Sequence, residues 1–311
     1  MRIVFAGTPQ VAVPALLALA ATRHRIDRVI TRTDAPLGRK RVLTPSPLAQ
    51  SAASLGLPVL KTNRLDTAAT AEITALQPDL GVIVAYGGLV REPLLSVPRL
   101  GWINLHFSVL PRWRGASPVQ RAVIAGDADT GAAVFQLVPE LDAGAVFGQI
   151  SHRIGAHDTS GSLLDTLSHS GTELLLRVID ALDAGTAQAT AQSGEVTLAP
   201  KLTLDDARID WTRPAATVYA LVRGVTPEPG AFTSIDGARL KVHRLGPVLR
   251  RADESDLPAL TAGTITEHEK KVLVGTGTEP LELLSVQPAG KTTMRAIDWW
   301  RGVAATEVVA S

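Results

Sequence analysis

Short apolar runs recur through the first half of the chain, separated by stretches with helical spacing. Arg2–Ala6, Ile26–Thr31, Leu80–Ala85, Trp102–His106 and Ala133–Val138 have the near-continuous hydrophobicity of strands buried on both faces. Between them, Pro9–Ala21 and Thr67–Leu76 are spaced as helices. A longer helical pattern, Thr159–Ala184, sets leucines 163, 164, 167, 174, 175 and 176 along one broad stripe.

Strands alternating with helices predict right-handed crossovers. The class is therefore α/β, a Rossmann-like, mostly parallel sheet with helices on both faces. From Gly185 the pattern changes: residues 186–205 are poor in large apolar side chains, as a connector would be. One helical segment follows, Ala215–Gly224. Then come five short alternating runs, Ala231–Ile235, Arg239–Leu245, Thr264–Thr266, Lys271–Val274 and Leu281–Gln287, which predict a smaller antiparallel β-barrel. The expected division is an α/β domain over 1–185, a linker over 186–205 and the barrel over 206–311.

Composition narrows the classes. The 311 residues are 45% hydrophobic with a formal charge of +1, which excludes a disordered chain. With no cysteine, disulfide scaffolds, zinc ribbons and thiol nucleophiles are excluded. The longest apolar stretch, Val11–Ala21, is about half of the roughly 20 residues that span a bilayer and contains Pro14. A soluble, cytoplasmic protein with no membrane partner is expected. No GxxxxGK[ST] loop and no HExxH occur, and Ser108 is not in a GxSxG elbow, so neither a P-loop, a metal site nor a serine hydrolase is indicated.

Candidate chemistry concentrates in residues 103–144. Asn104 and His106 are two apart on a predicted strand, so their side chains leave the same face. Asp142 lies in a Leu-Asp-Ala-Gly turn after a later strand. A carboxylate beside an imidazole favours the imidazolium, and an amide with a charged imidazole suits an oxyanion at a carbonyl under attack. A satisfied structural histidine is the alternative on residue types alone. Separately, Arg23, Arg25, Arg28, Arg32, Arg39, Lys40 and Arg41 face only Asp27 and Asp34 within residues 23–41, a local charge of +5. Such a run is either a phosphate-contacting loop or a solvated face.

The run Asn104-Leu-His106-Phe-Ser108-Val-Leu-Pro111, then RWRGASPVQ and Leu-Asp142-Ala-Gly144, resembles the formyltransferases that use 10-formyltetrahydrofolate. FAGTP at 5–9, DAPLGRKRVLTPSP at 34–47, VAYG at 84–87, DTSG at 158–161, LTLDDARIDW at 202–211 and SVQPAGK at 285–291 extend the resemblance almost end to end. It implies a catalytic trio of Asn104, His106 and Asp142, and a folate contact at Ser108, Val109, Leu110 and Pro111. It further implies that Arg39, Lys40 and Arg41 engage tRNA and that the tail is an OB-type barrel which grips it. The implied reaction moves a formyl group from 10-formyltetrahydrofolate, as co-substrate and without a metal, to the amino group of methionyl initiator tRNA, in a monomeric enzyme. Two departures stand out: Gly38-Arg39-Lys40-Arg41 where the family often has Gly-Arg-Gly, and Glu228 where it commonly has tryptophan. A small amine as acceptor, such as a nucleotide sugar or glycinamide ribonucleotide, and a non-catalytic oligonucleotide-binding protein remain open alternatives.

Overall fold

The apolar runs of the first half fold into strands β1 (Arg2–Gly7), β2 (Arg25–Thr31), β3 (Ala35–Leu37), β4 (Val42–Thr44), β5 (Val59–Lys61), β6 (Leu80–Val84), β7 (Trp102–His106), β8 (Arg114–Gly115), β9 (Asp129–Gln136), β10 (Val146–Arg153) and β11 (Leu198–Ala199). Helices α1 (Val13–Ala20), α2 (Pro47–Ser54), α3 (Thr67–Ala75), α4 (Pro118–Ala125) and α5 (Ser160–Asp183) are interspersed. The structure, a computed structural model, describes residues 1–38, 40–249 and 256–311. Two compact units make up the described chain: Met1–Pro118 with Asp129–Arg153 and Leu164–Pro200, and Val119–Ala128 with Ile154–Leu163 and Lys201–Ser311.

Seven strands of the first unit form one sheet in the order β10-β9-β7-β6-β1-β2-β5. The five from β7 to β5 are parallel, and β9 and β10 run antiparallel at one edge. Along β7, Trp102, Asn104 and His106 alternate with Ile103 and Leu105. Trp102 joins Val4, Ala6, Ile30 and Ile83 in a core that Ile73 of α3 covers. On the other face, Leu105 meets α5 so closely that a Cβ on Gly171 would lie 3.0 Å from it. Helices therefore cover both faces, as a mostly parallel sheet requires. The helix starts have a local cause: Ser46 and Asp66 accept hydrogen bonds from the Ala49 and Ala69 amides at 3.1 and 3.0 Å, and Pro47 opens α2.

Two predicted elements differ from the observed ones by more than two residues at one end. Pro9–Ala21 is a 3₁₀ turn over Gln10–Ala12 followed by α1, because Pro14 fits only the first turn of an α-helix. The strand predicted at Ala133–Val138 runs from Asp129 to Gln136, its start fixed by pairing with Arg153.

The second unit holds α6 (Ala215–Gly224), β12 (Phe232–Ile235), β13 (Ala238–Pro247), β14 (Thr264–His268), β15 (Lys271–Val274), β16 (Leu281–Pro288), β17 (Met294–Arg295), α7 (Ala296–Trp300) and β18 (Glu307–Val309). Its strands form an antiparallel sheet in the order β12-β13-β16-β15-β14-β18, with β17 added to β16. The two ends of that path meet. Ser234 and Ser311 exchange main-chain hydrogen bonds at 2.9 Å, and Ile235 bridges Ala310. Trp211, Val218, Val222, Leu240, Val242, Ile265, Leu283 and Trp300 fill the core. The Trp211 indole N–H, which burial would otherwise leave unpaired, donates to Thr233 Oγ1 at 3.0 Å. Among the described residues, no helix is long and apolar enough to cross a membrane.

Candidate active site

Period-two alternation puts Asn104 and His106 on one face of β7, Asn104 half-buried and His106 buried. The chain after β9 folds back over this face, bringing the Asp142 carboxylate to 3.8 Å from His106 Nδ1. The other imidazole nitrogen, Nε2, lies 2.9 Å from the Trp113 carbonyl oxygen. A carbonyl only accepts, so Nε2 carries the proton, and Nδ1 is the basic nitrogen that faces Asp142. Phe135 meets the imidazole edge-on, with centroids 6.2 Å apart.

Burial pushes the His106 pKa below the usual histidine value, outweighing the Asp142 charge and the Trp113 carbonyl, which both raise it. This corrects the expectation of a resting imidazolium. The dry surroundings of His106 favour the neutral imidazole.

Asp142 is itself held from two sides. The Gly115 amide donates to its Oδ2 at 2.8 Å, and the Gln192 carboxamide donates to the main-chain oxygens of Asp142 and Gly144 at 2.8 and 2.9 Å. Trp113 and Asp142 have φ of 61° and 45°. That left-handed backbone costs a non-glycine residue about 1–3 kcal/mol, so surrounding contacts must maintain it. Both turns depend on glycine: a Cβ on Gly144 would sit 1.7 Å from the Gln136 oxygen, and one on Gly115, at φ 128°, would sit 2.6 Å from the Ala199 oxygen.

Of the four residues with an implied folate contact, Ser108, Leu110 and Pro111 are buried and Val109 is half-buried. The Ser108 hydroxyl donates to the Arg112 carbonyl at 2.6 Å. What this turn offers a ligand is therefore mainly its backbone and shape.

The basic run of residues 23–41 does not form one patch. Arg2 and Arg25 both pair with Asp27 at 2.7 and 2.5 Å, and Arg23 pairs with Asp183 at 2.9 Å. Arg28 pairs with Glu72 at 3.0 Å, and Arg32 donates to the Gly87 carbonyl at 2.7 Å. At the β3–β4 hairpin tip Lys40 and Arg41 are exposed. Arg39 lies outside the described residues. Leu37, Val42 and Leu43 on the same hairpin are 66%, 59% and 67% exposed, so the tip combines cations with uncovered apolar side chains.

Within the second unit, a cavity of about 270 Å³ is lined by His157, Tyr219, Arg223, His243 and Arg244 over an apolar floor that includes Val222 and Leu245. Arg223 lies over the Tyr219 ring at 4.9 Å and donates to the Asp158 carbonyl at 3.0 Å, and Arg244 is exposed. The balanced composition of the tail hides this basic cluster. No spacing in the sequence announces it, because its members come from separate elements.

An amide donor, an imidazole and a carboxylate on one sheet face are the equipment for group transfer at a carbonyl. Comparison with known proteins supplies the family. Residues 1–179 match the Formyl transferase model and residues 201–304 match Formyl transferase, C-terminal domain. The chain belongs to the formyl transferase family. It is 58% identical over 310 residues to the methionyl-tRNA formyltransferase of Clavibacter sepedonicus, covering 100% of both chains. It is 50% identical over 304 residues to that of Thermobifida fusca (strain YX), covering 97% of this chain and 96% of the relative. The solved N-formyltransferase from Helicobacter canadensis, in complex with folinic acid and dTDP-3-aminofucose, has a similar fold: TM-score 0.67 at 15% identity, covering 92% of this chain and 98% of that one.

Proposed function

We infer that this chain transfers the formyl group of 10-formyltetrahydrofolate to the amino group of methionyl initiator tRNA. The observation that carries the reading is the end-to-end identity with relatives of that activity, across both parts of the chain. A small amine as acceptor and a binding module without turnover are not favoured.

In this reading Asn104 donates its amide to the negative oxygen that forms at the formyl carbon. The attacking α-amino group has a pKa of about 8, so a useful fraction is already unprotonated near neutrality. As its nitrogen bonds to the formyl carbon, His106 Nδ1 takes the proton the amine must lose. It returns that proton to the folate N10 as the bond from N10 to the formyl carbon breaks. Asp142 stabilises the imidazolium that exists between those events, and Trp113 fixes the tautomer. Ser108, Val109, Leu110 and Pro111 bound the folate site with their main chain.

Lys40 and Arg41 on the hairpin tip, with Arg39, meet the phosphates of the tRNA, and the exposed Leu37 and Leu43 give the tip an apolar contact. Residues 1–185 serve as the catalytic domain and 186–205 as the connector. Residues 206–311 serve as a tRNA-binding barrel of the OB type, a reading supported by the bridge between the ends of its sheet and by its basic cavity. The enzyme works as a monomer in the cytoplasm.

The test is formation of formyl-methionyl-tRNA from labelled folate, set beside a panel of small amines. Wild type should formylate the tRNA and leave the amines untouched; the reverse preference would overturn the reading. His106→Ala and Asn104→Ala should each cut kcat by about 10²–10³, with KM for both substrates nearly unchanged. Wild-type turnover in both variants would remove them from the chemistry.

A further inference from the structure

Residues 190–199 have the composition of a loose connector, yet they are hydrogen-bonded at successive points around the candidate active site. Thr190 exchanges main-chain bonds with Val146 at 2.8 and 2.9 Å. Thr197 accepts from the Trp113 amide through its hydroxyl at 2.9 Å and from the Arg114 amide through its carbonyl at 2.9 Å. The Ala199 carbonyl accepts from Ser117 at 3.1 Å, and β11 pairs with β8 in parallel. The segment is a strap laid across the two turns that flank His106.

At its centre is Gln192. Its amide nitrogen donates to the carbonyls of Asp142 and Gly144, at 2.8 and 2.9 Å, and its amide oxygen accepts from Arg114 Nε and Nη2 at 3.1 and 2.7 Å. A carboxamide is the one uncharged side-chain group that can donate two hydrogen bonds to carbonyls while accepting from a guanidinium. A carboxylate here would keep the arginine and turn an oxygen toward both carbonyls. The left-handed backbone of Asp142 needs an external restraint, and those two donated bonds supply it on either side of Ala143.

We propose that Gln192 is a positioning residue for formyl transfer: its carboxamide holds the Asp142 turn, and through it the carboxylate facing His106. The proposal rests on the reading that Asp142 serves the chemistry. Displacing a catalytic group by about 1 Å can cost on the order of 10²-fold in rate, which sets the scale. Removing the clamp acts on kcat and leaves substrate affinity alone, because Gln192 bonds the main chain of the turn rather than the Asp142 carboxylate.

The experiment measures kcat and KM for formylation by Gln192→Ala, Gln192→Glu, Asp142→Asn and the double variant Gln192→Ala/Asp142→Asn. Gln192→Ala should lose about 10- to 100-fold in kcat, with KM for both substrates within about two-fold. Gln192→Glu should lose at least as much, while its Arg114 partner keeps the fold and the melting temperature near wild type. In the Asp142→Asn background the further loss should shrink to less than about two-fold, since interacting sites are not additive. Equal losses in both backgrounds, or wild-type kcat in Gln192→Glu, would overturn the proposal. Wild-type kcat in Asp142→Asn would instead overturn the reading beneath it.

Discussion

At His106 burial opposes a neighbouring charge, and the balance decides its protonation. Loss of solvent disfavours the imidazolium; Asp142 at 3.8 Å favours it by less. The native site therefore refuses a proton that the unfolded chain accepts at about pH 6.5. Above that pH neither state binds it, and this group has no effect on stability. As pH falls through about 6.5 the unfolded state gains protons first, and native stability declines. Denaturant unfolding of wild type and His106→Asn between pH 5 and 8 checks this. The two stability curves should run parallel near pH 8, with wild type falling faster below pH 6.5; parallel curves throughout would mean that the native imidazole is not held neutral. The same balance suits a proton carrier, since a neutral imidazole can accept the amine proton at working pH.

The next scale is that of turns and strands, where the geometry around Asp142 depends on backbone that only glycine allows. Gly115 donates the amide that fixes the Asp142 carboxylate, and its φ of 128° beside the Ala199 oxygen leaves no room for a side chain. Gly115→Ala should therefore lower kcat by more than about ten-fold, alongside a destabilisation of about 1–3 kcal/mol. Steady-state assays with thermal unfolding would check both, and a variant with wild-type kcat would show that the turn takes a side chain without displacing the Asp142 carboxylate. Much of this level was legible in the sequence. Trp102–His106, Ala215–Gly224 and Lys271–Val274 begin and end where their spacing predicts, because long or strongly apolar patterns leave little choice. β10 was not legible: at the sheet edge none of its residues is buried, Gln149 and Ser151 being exposed and Ile150 and His152 half-buried, so it lacks the apolar run of the inner strands. β5 is only three residues long. Spacing alone put Asn104 and His106 on one face, but the approach of Asp142 needs the fold-back after β9, which no local period encodes. Gln192 gave no signal at all, since a glutamine among small polar residues reads as solvent-exposed.

Across the whole chain the charges nearly cancel, with 31 basic against 30 acidic side chains, and residues 206–311 carry 13 of each. A net charge of +1 supplies little long-range attraction for a polyanion. Affinity for RNA must then come from cations that reach phosphates directly, and many arginines are already spent on Asp27, Glu72, Asp183 or Asp206. Two candidate groups lie on different units: Lys40 and Arg41, exposed at the hairpin tip, and Arg244, exposed at the rim of the Tyr219 cavity. If each meets a phosphate, Lys40→Ala and Arg244→Ala should each reduce the slope of log affinity against log salt by about one. Residues on separate elements with no shared partner should act additively, so the double variant should lose about two. Equilibrium binding of initiator tRNA between 50 and 200 mM salt, with kcat measured at saturating tRNA, separates this from a catalytic effect. Affinity should fall while kcat holds. An unchanged slope in Arg244→Ala would detach the second unit's basic cavity from tRNA, and an unchanged slope in Lys40→Ala would do the same for the hairpin. Because the slope becomes shallower, losing both groups should reduce binding at 50 mM salt far more than at 200 mM, where counterion release contributes least.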